Sequence, residues 1–159
     1  MSQWTFTNSG NVATDLDDGS TYTVVSINGK GVMPLSVQSE RRFGRSGAVL
    51  RAASIPERVL TLTILIQGTS LSSLETNTHT LISRLAGSFG RETQREGKLQ
   101  YTTDASNSRY LRCIASGGMD EARMSKVGKY AVALPVQFYA PHGNWYDPTQ
   151  QSATGTIGP

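Results

Sequence analysis

The sequence predicts a mainly β domain of the α+β kind: antiparallel sheet with one helix packed on it. Two stretches alternate apolar and polar residues with period two, Arg58 to Ile66 and Lys129 to Ala140, the pattern of strands with one buried face. A single stretch, from Leu71 to Phe89, repeats its apolar residues at helical spacing. Sixteen glycines, together with many Ser and Thr, favour turns and strands over long helices.

After Trp4 and Phe6 the first 19 residues are polar and turn-rich, and Asp18-Gly19 is a hairpin-type turn signal. Ser20 to Ile27, rich in Thr, Tyr, Val and Ile, reads as a strand. Asn28-Gly29 follows, two residues that tolerate positive φ, so Val32 to Ser39 is expected to fold back on that strand. Pro34 assigns the second strand to an edge or a bulge, because proline cannot donate to a ladder.

Residues 40–57 are charged and glycine-rich and read as a long loop, the kind of connection that is functional or reaches a partner. The strand from Arg58 sets Leu60, Leu62, Ile64 and Ile66 on one face and Thr61 and Thr63 on the other. Val59 and Leu65 share the threonine face, which predicts cover on both faces at the strand ends. Gly68-Thr69-Ser70 offers the helix N-cap, Glu75 suits the dipole of the first turns, and Gly87 and Gly90 end the helix. Leu71, Leu74, Thr78, Leu81, Ile82, Leu85 and Phe89 form its packing stripe. Two short strands follow, Lys98 to Thr102 and Arg109 to Ser116. Met119 to Gly128 reads as a loop, and the last strand buries Tyr130, Val132, Leu134, Val136 and Phe138. The tail, 149–159, has the composition of a disordered segment, which leaves 1–148 as one domain.

The net charge is +3, with the basic residues scattered among twelve acids, so no nucleic-acid footprint stands out. The start of the chain lacks a charged segment followed by an apolar one, and no apolar run reaches membrane-span length, so the expectation is a soluble protein made in a cytoplasm. One cysteine, Cys113, cannot form an internal disulfide and reads as a small apolar strand residue. His79 and His142 lack metal-ligand spacing, and His79 reads as a solvated helix residue. No nucleophile elbow or phosphate-binding loop occurs, and Asp15, Asp17 and Asp18 read as a turn rather than a calcium loop. These counts point away from an enzyme, a metal site and a cofactor. The arginines Arg41, Arg42, Arg45, Arg51 and Arg58 admit three readings: a solvated loop, subunit contacts through Arg–carboxylate pairs, or nucleic-acid binding with Phe43 as the only interleaved aromatic.

Several segments, taken in order, resemble the first domain of phage distal tail proteins. Val25-Ser26-Ile27-Asn28-Gly29 is similar to that family's early strand pair, with residues 40–57 in the place of its arm-like loop. The run from Arg58 to Gly68 resembles the family's "R-x-L-x-L-x-I-x-G" strand. Gly97-Lys98-Leu99-Gln100-Tyr101 matches "G-x-L-x-Y", and Arg109-Tyr110-Leu111-Arg112-Cys113 matches "R-Y-L-x-C". Val136-Gln137-Phe138-Tyr139-Ala140-Pro141 with Trp145 matches "V-x-F-x-A-P…W", although Pro141-His142-Gly143-Asn144-Trp145 stands where the family usually has "D-P-x-W".

The resemblance implies an antiparallel β-sandwich or barrel of tail-tube type, with one flanking helix and a long arm loop. It also implies a non-catalytic virion protein, made in a bacterial host, that forms a hexameric ring at the distal end of a phage tail. The expected partners are copies of itself, the tail-tube protein, and the baseplate hub or tail fibre protein. No membrane and no sequence-specific nucleic acid is expected, DNA being free to pass through the ring. The implied inter-subunit arm carries Arg41, Arg42, Phe43, Arg45 and Arg51. The implied terminal corner is Pro141, Trp145 and Tyr146, with the last two capping one end of the core. Two other readings compete: a tail-tube subunit, and a monomeric carbohydrate-binding β-sandwich with Trp4, Tyr139, Trp145 and Tyr146 as stacking residues.

Overall fold

The computed structural model describes residues 3–31, 35–41, 43–44, 46–86, 96–103, 107–119 and 125–147. Its organising pair is β6 (Arg58–Gln67) with β10 (Ala131–Ala140), antiparallel over ten consecutive residue pairs from Arg58↔Ala140 to Gln67↔Ala131. Alternation sends Leu60, Leu62, Ile64 and Ile66 to one face, joined by Leu134, Val136, Phe138 and Ala140 from the partner strand, all fully buried. Val59, on the other face, is 51% exposed, so the expected cover at that end of β6 is absent.

Around this pair the order within the main sheet is β2 (Ala13–Asp15), β1 (Gln3–Thr7), β7 (Gly97–Thr102), β8 (Ser108–Gly117), β10, β6 and β3 (Tyr22–Asn28), with β9 (Ser125–Gly128) also on β10. β8 joins the two layers. Ser108 to Cys113 pair with β7, and Ile114 to Gly117 pair with β10. The sheet folds over itself there, and Phe6 of β1 meets Phe138 of β10 across the core at 5.3 Å between ring centroids. The result is an antiparallel sandwich with a flanking helix.

That helix, α1 (Leu71–Ala86), buries Leu74, Leu81 and Leu85, while Leu71 is exposed. Ser70 accepts a hydrogen bond from the Ser73 amide at its hydroxyl, an N-cap. Glu75 lies beyond the first turn. Further bonds tie the helix to the sheets: Asn77 donates to the Gln67 carbonyl, the Tyr22 hydroxyl donates to the Asn77 carbonyl, and Asn8 donates to the Arg84 carbonyl. Phe89, Gly87 and Gly90 lie outside the described residues, as does the tail 149–159.

Several pairings differ from the sequence expectation. The strand after Asn28-Gly29 does not return onto β3. β3 pairs with β6, from Tyr22↔Ile66 to Asn28↔Thr61, and β4 (Ser36–Arg41) pairs with β5 (Ala48–Ser54) in a separate two-stranded sheet. The continuous apolar face of β6 offers β3 a buried partner for Tyr22, and Ser36–Arg41 offers none. Gly29 still takes the positive φ that its turn signal implies, 87°, passing close to the Val59 carbonyl. Residues 40–57 are therefore not a loop but most of a β-hairpin, turned at Gly44 and Gly47, both at positive φ. β1 and β2 at the start of the chain lie outside the sequence expectation, because they present only Trp4, Phe6 and Thr14 to the core; β1 pairs with the distant β7, and β2 with β1. Ser125–Gly128, expected as loop, is β9.

Pro135 sits inside β10. On the edge it shares with Gly118, the ladder passes from β9, which ends opposite Ala133, to β8, which begins opposite Gln137. Its missing N–H falls in that gap.

Candidate functional site: the hairpin and the terminal corner

The β4–β5 hairpin is well paired within itself and unpacked on the outside. All six residues of β4 and all seven of β5 are exposed. Following the register, Val37, Ser39, Arg41, Ala48, Leu50 and Ala53 share one face, and Glu40 pairs with Val49 on the other. Arg51 stands at the register shift in the ladder, and its guanidinium forms an ion pair with the Glu40 carboxylate. Val37 is 55% exposed and Leu50 61%, and Phe43 at the tip is fully exposed. Leu35 and Ile55 extend the apolar character to the root. Isolated two-stranded hairpins are marginal in water, and clustered exposed apolar residues mark contact surfaces. Of the arm residues expected from the sequence, Arg41, Phe43 and Arg51 lie on this hairpin, and Arg42 and Arg45 lie outside the described residues.

The terminal corner packs against the root of the same hairpin. Gly143 is buried so close to the Pro56 carbonyl and to Ile55 that a Cβ there would sit 2.4 Å from the carbonyl oxygen. Trp145 is half-buried against the core, edge-on to Trp4 at 6.3 Å. Tyr146 exchanges two backbone hydrogen bonds with Tyr110 on β8, and the two rings stack at 5.4 Å. Pro141 follows β10 directly and is half-buried. Trp4 is 1% exposed, so it has no face to offer a sugar, and the four proposed stacking aromatics do not form one platform.

The sequence reading missed a group of cations around Trp145. Lys30, Arg58 and Arg109 line adjoining hollows of about 250 and 220 Å³ that share Lys30, Arg109 and Trp145. The Lys30 ammonium lies over the Tyr101 ring, 3.4 Å from its centroid, and 5.6 Å from that of Trp4. Arg58 is only 3% exposed and sits 5.9 Å from the Trp145 ring. Its Nη1 donates to the carbonyls of Gly29 and Lys30, closing that turn, while its buried Nε has no acceptor among the described residues. Burial pulls the guanidinium below its ordinary pKa, but an arginine stays charged across the working range. The signal was present in the alternation: Arg58 stands two residues before Leu60, in register with the core face.

The remaining chemistry is sparse. Burial pushes the Cys113 thiol up to about 12, which leaves it protonated and inert. His79 is exposed on α1. Among the described residues, no three metal-ligating side chains come together, and no helix is long and apolar enough to cross a membrane.

The fold defines a class: an antiparallel β-sandwich with one flanking helix and a projecting hairpin. Among solved structures it is similar to SPP1 Dit (gp 19.1), described as a paradigm of the hub adsorption apparatus in phages infecting Gram-positive hosts. The TM-score is 0.57 at 19% identity, over 91% of this chain and 52% of that one. It is also similar to a chain of the phage p2 baseplate in its activated conformation, solved with Sr and with Ca. There the TM-score is 0.65 at 14% identity, over 87% of this chain and 43% of that one. The chain spans about half the length of these structural neighbours. No family model and no curated protein matches the sequence.

Proposed function

We propose that the chain is a structural subunit of a phage tail tip, forming a hexameric ring at the distal end of the tail between the tube and the baseplate hub or tail fibre. The observation that carries this reading is the hairpin, a paired element whose Val37, Leu50 and Phe43 are exposed, with no cover among the described residues. A cyclic ring needs two different patches that meet between neighbours, and a projecting hairpin supplies one of them. The likeness in fold to SPP1 Dit and to the p2 baseplate chain supports the same role. On this reading Arg41, Arg42, Phe43, Arg45 and Arg51 belong to the inter-subunit arm. Pro141, Trp145 and Tyr146 form the corner that holds its root, and the protein performs no catalysis.

Light scattering with negative-stain images of the purified chain tests the reading. Closed rings of six with a central channel are expected. Replacing residues 37–53 by a short Gly-Ser linker should leave a folded monomer that makes no rings. Rings that persist unchanged sink the arm assignment, and long stacked tubes would move the chain to the tube-subunit class.

A further inference from the structure

The cationic hollow at the hairpin root has an unmatched charge. Lys30 and Arg109 are exposed at its mouth and Arg58 is buried at its floor. No described acid forms an ion pair with any of the three, whereas the exposed Arg51 on the hairpin has its own in Glu40. Like charges gathered beside low-polarity rings repel one another, and a buried N–H with no acceptor costs stability. The repulsion would be relieved by one anion placed against the exposed Lys30 ammonium and Arg109 guanidinium.

The size of the hollow narrows the choice of anion. Each of the two adjoining spaces, about 250 and 220 Å³, is smaller than the roughly 300–1,000 Å³ usual for cofactor or drug-sized ligands, and the pair together reaches only the lower half of that range. The head of one amino-acid side chain fits that scale. The Trp145 ring suits the methylene stem behind a carboxylate, and Ile55 places the hollow where the hairpin leaves the sandwich. A planar carboxylate matches the guanidinium fork.

We propose that this hollow, floored by Arg58 and flanked by Lys30, Arg109 and Trp145, binds the carboxylate of an aspartate or glutamate side chain presented by a partner polypeptide. The proposal does not rest on ring formation, since binding is read on whatever oligomer the chain adopts.

The test titrates the full chain with N-acetyl-glutamate N-methylamide, its glutamine counterpart and glucuronate, following intrinsic fluorescence and heat of binding. Trp145→Phe removes the reporter in the hollow and leaves Trp4. A saturable response to the glutamate compound is expected, absent with glutamine and weakened by added salt. In Arg109→Gln the affinity should fall about tenfold or more, as when a charge-assisted hydrogen bond is lost. Lys30→Gln is a second exposed variant that leaves the Arg58 turn contacts in place. No response to the glutamate compound, an equal response to glutamine, or full affinity in both variants overturns the proposal. Tighter binding of glucuronate would reassign the hollow to an acidic sugar and overturn the polypeptide assignment.

Discussion

The β6–β10 pair and the β4–β5 hairpin are both antiparallel and regularly hydrogen-bonded, yet they differ in almost everything that follows from their side chains. In β6–β10 each strand turns a row of large apolar residues into a closed core, with Leu62 and Phe138 at 0% exposure. In β4–β5 smaller apolar residues stand in solvent, mixed with Glu40, Arg41 and Arg51. Backbone pairing is therefore not what separates a core strand from an exposed one in this molecule. The separation lies in whether a second layer covers the apolar face. The sandwich covers its own, and the hairpin leaves its face exposed.

Phe138→Ala should give the largest effect of all. It removes a ring that touches Phe6 across the layers, at a cost of about 3–5 kcal/mol and a fall of roughly 10 °C in melting midpoint. Urea and thermal melts of the variant check this. A loss under about 1 kcal/mol would mean that the two layers do not depend on that contact.

A smaller effect tests the turn that leads into β3. Asp18 is held below the ordinary carboxylate range. Partial burial acts upward, but it is outweighed by the amides of Tyr22, Ser20 and Thr21 and by the Ser20 hydroxyl, all donating to its carboxylate. A depressed acid contributes stability that is present above its unfolded pKa of about 3.9 and is lost as pH falls through the folded value. Asp18→Asn keeps a side-chain acceptor for the turn but cannot titrate. Melts between pH 6 and pH 2, at about one-unit steps, should show the wild type losing an increment that the variant does not lose. Parallel curves would refute a role for Asp18 in acid sensitivity.

The smallest effect on folding belongs to the hairpin. The double change Val37→Ser, Leu50→Ser should move monomer stability by no more than about 0.5 kcal/mol, because both side chains are already largely in water. Assembly should suffer far more, and the measurement is the pair of readings, melting midpoint and solution mass, on one sample. A large loss of stability with unchanged mass would reverse the comparison between the two strand pairs.

The strands with long alternation were legible in the sequence. Leu60 to Ile66 and Val132 to Phe138 carry enough period-two signal to identify both strand and buried face. The helix was legible through its stripe and the cap at Ser70. β1 and β2 were not, since Trp4 and Phe6 alone make too short a pattern. Val32 to Ser39 reads as a strand but not for its true partner, and β5 reads as loop, because the glycines and charges mark the turn and nothing buried marks the second strand. In the cationic hollow, Arg58 was legible as a charge in register with core leucines, but its companions Lys30, Arg109 and Trp145 are scattered across more than half the chain.

By itself the sequence determined the strongest local conformations: the alternation of β6 and β10, the coil of α1 and the positive-φ turn at Gly29. These depend on neighbours a few residues apart, and their physics is local. Only the tertiary structure decided that β3 joins β6, that β1 joins β7 across some ninety intervening residues, and that Trp145 returns to the hairpin root. Strand pairing is indifferent to side-chain identity at the backbone. Partners are selected by which assembly of faces excludes the most water, a property of the whole chain that no single segment carries.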